Sequence, residues 1–100
     1  MDVKSREEII KFAQKLNSTN LSPLRSGNIS LKAQNNNEAG FLITPSGKKY
    51  DSLKADDIVF VSLEGRYDEK GLQPSSEWRF HKDIYLKKSD AKAVVHAHSP

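Results

Sequence analysis

The residues best suited to chemistry stand near the end of the chain, in His96-Ala97-His98. On a β-strand, residues i and i+2 point to the same face, about 6.5–7 Å apart at their Cα atoms. Two imidazoles so placed can converge on one zinc ion. The alternate residues, Val95 and Ala97, are then expected to face the packed side. Two ligands are too few for a catalytic zinc, which takes three protein ligands and keeps one position open. Glu77 is the natural candidate for a carboxylate. Taken by itself, it reads more simply as a first-turn glutamate stabilised by the helix dipole. Around it, Ser75 and Ser76 offer hydroxyls and backbone N–H groups at a helix N-terminus, a setting suited to an anion. Gly27-Asn28 and Ser46-Gly47 are two further turns with N–H groups to offer, each by itself merely a turn. His81 reads as a packed or surface helix histidine rather than a ligand.

The elements that must position these groups can be read from patterning. Ser5 and Glu8 form a capping-box pattern, and Ile9, Phe12, Ala13 and Leu16 fall on one face of the helix it opens. That helix is expected to end near Asn17-Ser18-Thr19-Asn20. Gly27-Asn28 marks a turn before a short strand from Ile29. Gln34 to Gly40 reads as a polar hairpin loop, followed by a strand at Phe41-Leu42-Ile43-Thr44 that ends in Pro45-Ser46-Gly47. A short helical turn anchored by Leu53 fills Asp51 to Asp57. Ile58 to Leu63 is a buried strand closed by Glu64-Gly65. The second long helix opens at Pro74-Ser75-Ser76-Glu77, with a serine as cap and Glu77 in its first turn. On it Trp78, His81 and Tyr85 share one face, and Phe80 and Ile84 form another row. It ends near Lys87-Lys88-Ser89-Asp90, before a last strand from Ala93 to His98. Strands in succession between two helices argue for an α+β fold with an antiparallel sheet.

Composition narrows the function classes. At 100 residues the chain is one small domain at most. Its 16 Lys and Arg against 13 Asp and Glu give a net charge of +3, but the signs alternate along the chain. No basic face with aromatic platforms emerges, so the pattern does not read as a nucleic-acid binder. There are no cysteines, so a metal must be held by histidines and carboxylates. No apolar run approaches the roughly 20 residues that cross a bilayer, and the first residues are not signal-like. The expectation is a cytoplasmic protein.

Five segments, taken together, resemble the class II aldolase and adducin family. They are Ser26-Gly27-Asn28-Ile29-Ser30, Leu42 to Gly47, Asp57-Ile58-Val59, Pro74 to His81, and Ala93 to Pro100, in the family's order and spacing. The resemblance implies an α/β fold: a three-layer α/β/α sandwich around a mainly antiparallel sheet. It implies a homo-oligomer, a tetramer in full-length members, with the site at a subunit interface. It carries Gly27, Asn28, Ser46, Gly47, Ser75 and Ser76 into a cradle for a substrate phosphate. It carries His96 and His98 into a zinc (or other divalent metal) site, and Glu77 into the role of proton-transfer carboxylate and metal ligand. The implied activity is a lyase of carbohydrate metabolism that cleaves or forms a C–C bond in a sugar phosphate through a metal-stabilised enediolate. Alternatives within the same resemblance are a pentulose-phosphate 4-epimerase, a sugar-phosphate dehydratase, and a non-catalytic adducin-like interaction module or inactive fragment. The family's domain is about twice this length, and its third zinc histidine lies beyond His98. Residues 1–100 are therefore expected to be the N-terminal portion of one such domain, the sheet incomplete and activity by itself doubtful.

Overall fold

A computed structural model describes residues 3–18, 27–47 and 50–96. Helix α1 (Val3–Ser18) leads to strand β1 (Asn28–Asn35) and its hairpin partner β2 (Glu38–Ile43). Two 3₁₀ turns, Tyr50–Ser52 and Ala55–Asp57, precede β3 (Val59–Ser62). Helix α2 (Trp78–Lys87) and strand β4 (Ala93–His96) follow. The sheet has the order β3-β2-β1-β4, with every pairing antiparallel.

Both faces of this sheet are covered, which gives the three layers. On one face Ile9 and Ala13 of α1 pack with Ile29, Leu42, Tyr50, Leu53 and Ile58. On the other, Tyr85 of α2 packs with Phe41, Ile43, Val59, Val61 and Val94. Successive residues of a strand alternate between faces, so Leu42 joins the α1 side while Phe41 and Ile43 join the α2 side. Arg6 secures α1 from its polar flank, its guanidinium donating to the carbonyls of Ala55 (2.8 Å) and Ile58 (2.7 Å).

Several boundaries differ from the sequence reading. Helix α1 already includes Val3, so Ser5 lies inside it and does not cap it. Phe12 is 52% exposed, because the helix turns its Ile9–Ala13 stripe to the sheet and leaves Phe12 outside it. The side chain of Leu16 lies outside the described residues. The hairpin loop is not Gln34 to Gly40 but the two residues Asn36-Asn37, with Gln34↔Ala39 and Asn35↔Glu38 paired in the ladder. Both asparagines have positive φ (51° and 67°), as a type I′ turn requires, and asparagine tolerates that region better than most residues. The polar strand ends thus extend beyond the core as an exposed ribbon. Gly40 is forced by β3: a Cβ there would lie 2.3 Å from the Val61 carbonyl oxygen and 2.6 Å from the Phe60 ring. Among the described residues, no helix is long and apolar enough to cross a membrane.

Candidate active site

The site groups gather on the α2 side of the sheet, at the start of β1 and the end of β4. Asn28 is paired directly with His96, and Ser30 with Val94. Val94 is buried and Val95 is 56% exposed, so the packed side of β4 carries Val94 and His96. This corrects the expectation for Val95. The sequence offers Val94 and Val95 as equally apolar, and only the pairing with β1 decides which meets α2. His96 is half-buried, with the Phe80 ring of α2 tilted against it at 5.1 Å between centroids. His98 and Ala97 lie outside the described residues, so the expected sharing of a face by the two histidines does too.

His81 is fully buried one helical turn from Glu77, whose carbonyl accepts the His81 N–H (3.3 Å). Its imidazole bridges two residues of β1: Nε2 meets Asn28 Oδ1, and Nδ1 meets Ser30 Oγ at 2.6 Å. Ser30 Oγ in turn meets the Tyr85 hydroxyl at 2.8 Å. Burial, and secondly the positive charge that His96 can carry, push His81 down to about 4, so it is neutral near pH 7. Burial also raises Tyr85, against the hydrogen bond with Ser30, so its phenol keeps its proton. This buried polar chain is not legible in the sequence, since its members come from β1 and from successive turns of α2. The spacing of His81 and Tyr85 on one helix face was the only trace of it.

The three turns singled out by sequence are stitched to one another. Thr44 N–H donates to the Ile29 carbonyl (3.1 Å), and Ile29 N–H to Thr44 Oγ1 (3.3 Å). Ser75 N–H donates to the Thr44 carbonyl and Ser46 N–H to the Gln73 carbonyl, both at 2.9 Å, around a Pro45↔Pro74 bridge. The buried Tyr50 hydroxyl donates to the Gly27 carbonyl, while Gln14 of α1 holds the Tyr50 carbonyl (3.2 Å). Gly27-Asn28, Ser46-Gly47 and Ser75-Ser76 are therefore neighbours in space. The N–H groups of Ser46 and Ser75 are spent in holding the turns together rather than offered outward, which the sequence could not reveal. Ser75 is buried and Ser76, Ser46 and Gly47 are exposed. Gly47 has φ of +74°, and the space a Cβ would take there is open.

Helix α2 opens one residue later than expected. Glu77 occupies the cap position before Trp78, and neither serine caps in the usual way. Ser75 instead closes a tight turn, its carbonyl accepting from Trp78 N–H (3.0 Å) and its Oγ from Glu77 N–H (3.2 Å). An oxygen that accepts there still has its hydroxyl hydrogen to donate. Among the described residues no three His, Cys, Asp or Glu side chains come together as a metal cluster.

Comparison with known proteins agrees with this architecture. Residues 7–100 match the family described as Class II Aldolase and Adducin N-terminal domain. The chain is 41% identical over 95 residues to the 5-methylthioribulose-1-phosphate/5-deoxyribulose-1-phosphate aldolase of Rhodospirillum rubrum, covering 95% of this chain and 41% of that protein. It is 40% identical over 96 residues to the L-fuculose phosphate aldolase of Escherichia coli, covering 96% and 42%. Among solved structures, an L-fuculose 1-phosphate aldolase superposes with a TM-score of 0.87 at 33% identity, over 99% of this chain and 46% of the other. The L-fuculose-1-phosphate aldolase of Thermus thermophilus superposes with a TM-score of 0.78 at 28% identity, over 97% and 47%. The chain thus spans less than half the length of the curated relatives it matches. With the match over residues 7–100, the shared α/β layers and relatives at about 40% identity, the chain belongs to the class II aldolase and adducin N-terminal domain family.

Proposed function

We propose that this chain is the N-terminal part of a metal-dependent aldolase that cleaves or forms a C–C bond in a sugar phosphate. The observation that carries the reading is the placement of three hydrogen-bonded turns beside the rung that pairs Asn28 with His96. A phosphate held at the turns would bring the adjoining carbons of a sugar towards His96 and the start of α2.

Gly27, Asn28, Ser46, Gly47, Ser75 and Ser76 would form the phosphate cradle. The hydroxyls of the serines and the amide of Asn28 are the donors that suit it, since two of the backbone N–H groups are already engaged. The available donors fit a divalent metal such as zinc: His96 stands on the α2 side of β4, Glu77 at the start of α2, and the chain has no thiol. His96 and His98 would hold it together with Glu77 and a further ligand from outside this chain. Such a metal supplies Lewis-acid polarisation of a carbonyl. Glu77 would take the proton from the carbon beside that carbonyl and return it in the reverse direction. The helix start and the Ser75 turn hold its backbone. With only His96 and His98 left on the metal while Glu77 moves a proton, the 100-residue chain by itself should bind zinc weakly and turn over little.

The test compares this chain with a chimera in which it replaces the matching part of the E. coli L-fuculose phosphate aldolase. Zinc content and retro-aldol cleavage of L-fuculose 1-phosphate are measured on both. The chimera should bind zinc and cleave, and should lose cleavage as Glu77→Gln and zinc as His96→Ala. A folded chimera that holds zinc and cleaves no sugar phosphate would refute the reading.

A further inference from the structure

His81 is a buried imidazole to which the proposed reaction gives no task, yet it contacts a residue of the proposed cradle. We propose that His81 is a positioning residue that fixes the Asn28 side-chain amide with its carbonyl towards α2 and its NH₂ donors turned away from the helix, ready for an anion. The proposal rests on the reading of Asn28 as a cradle residue.

The direction of the hydrogen bonds follows from the far end of the chain. Tyr85 is buried, and its hydroxyl meets Ser30 Oγ. A phenol donates readily, and a buried O–H without an acceptor is costly. Tyr85 therefore donates to Ser30, and Ser30 donates to His81 Nδ1. The imidazole must then carry its proton on Nε2, which donates to Asn28 Oδ1. The acceptor end of the amide is consumed, and the donor end points away. Were the amide rotated by half a turn, it would show a carbonyl oxygen to the phosphate and repel it. The two hydrogen bonds hold the imidazole in this orientation, with the Phe41 ring nearly parallel to it at 6.4 Å between centroids. Asn28 is itself 4% exposed, so its carbonyl end depends on His81 for a partner.

The test uses the 100-residue chain, inorganic phosphate as probe, and NMR of the His81 ring nitrogens and the Asn28 side-chain NH₂. The wild type should show the Nε2–H tautomer, and phosphate should shift the Asn28 NH₂ signals. His81→Phe should weaken phosphate binding about five- to tenfold, the loss of one net hydrogen bond. His81→Gln, whose amide nitrogen reaches the Nε2 position, should restore most of it. A purely structural role would lower the melting temperature in both variants without this split. Should His81→Phe not fold, Ser30→Ala keeps the imidazole and should weaken phosphate binding by freeing the tautomer. An Nδ1–H tautomer in the wild type overturns the proposal. So does unchanged phosphate affinity in folded His81→Phe, which leaves the cradle reading standing. No phosphate response at Asn28, Ser46 or Ser75 in the wild type overturns both.

Discussion

Asn28 and His96 occupy one rung of the sheet, directly opposite each other where β1 begins and β4 ends. Both are on the side covered by α2, and in an antiparallel pair opposite residues have Cβ atoms about 4.5–5.5 Å apart. The residue proposed to hold phosphate and the residue proposed to hold metal are thereby tied by backbone pairing rather than by loops. Zinc added to the chain should therefore shift the NMR signals of His96 and Asn28 together and leave those of Asn36 and Asn37, at the opposite end of β1, unmoved. Shifts confined to the hairpin end would contradict this.

The buried His81 makes stability depend on pH. Its folded value of about 4 lies below the ordinary 6.5, so the unfolded chain binds the proton more readily. The contribution of the neutral imidazole is whole above about pH 6.5 and is lost as pH falls through about 4. Urea unfolding at pH 7.5 and pH 4.5 should show a larger loss for the wild type than for His81→Phe. Equal losses would mean that His81 does not titrate differently on folding.

Gly40→Ala should be among the most damaging single-methyl changes in the protein. The added Cβ meets backbone of β3, which cannot step aside as a flexible side-chain end can. A destabilisation of about 1–3 kcal/mol is expected from overpacking, read from the midpoint of denaturant unfolding. A variant as stable as the wild type would show that β3 can shift.

At the hairpin tip, Asn37→Gly should be neutral or slightly stabilising, because φ of 67° suits glycine. Asn37→Val forces a β-branched residue into the left-handed region and should cost about 1–2 kcal/mol. Thermal unfolding of the pair of variants separates them, and the reverse order would refute the turn assignment.

Much of this architecture was legible because turn chemistry and apolar runs punctuate the chain. Leu53 and the helix stripe of His81 and Tyr85 are buried where their patterns place them, and the strand expected from Ile58 to Leu63 forms one residue shorter at each end, as Val59–Ser62. Sheet parity was harder. Phe41-Leu42-Ile43 and Val94-Val95 are apolar throughout, and a strand covered on both faces carries no alternation to show which residue faces which helix. In β4 the two adjacent valines look alike, and the expectation for Val95 fails because Val94 is the buried one and Val95 is open to solvent. Gln34, Asn35 and Glu38 read as loop because polar residues suit a loop, whereas here they pair beyond the edge of the core. The stitching of the three turns, and the bridge from Tyr85 to Asn28, depend on which strand neighbours which helix. No local pattern encodes that.

The order of strands also sets when the candidate site comes into being. Strand β1 finds β2 at once through a two-residue turn, but meets β4 only after nearly all the described chain has been placed. Contacts between distant residues carry the larger loop-closure entropy and form late. Strand β4 (Ala93–His96) lies at one edge of the described sheet, with Val95 open to solvent. Such a strand can open locally while the hairpin stays intact. The rung of Asn28 and His96 thus joins two strands that lie far apart in the sequence. A ligand that bridges the two would fasten β4 to β1, so occupancy of the site would strengthen the pairing of those strands.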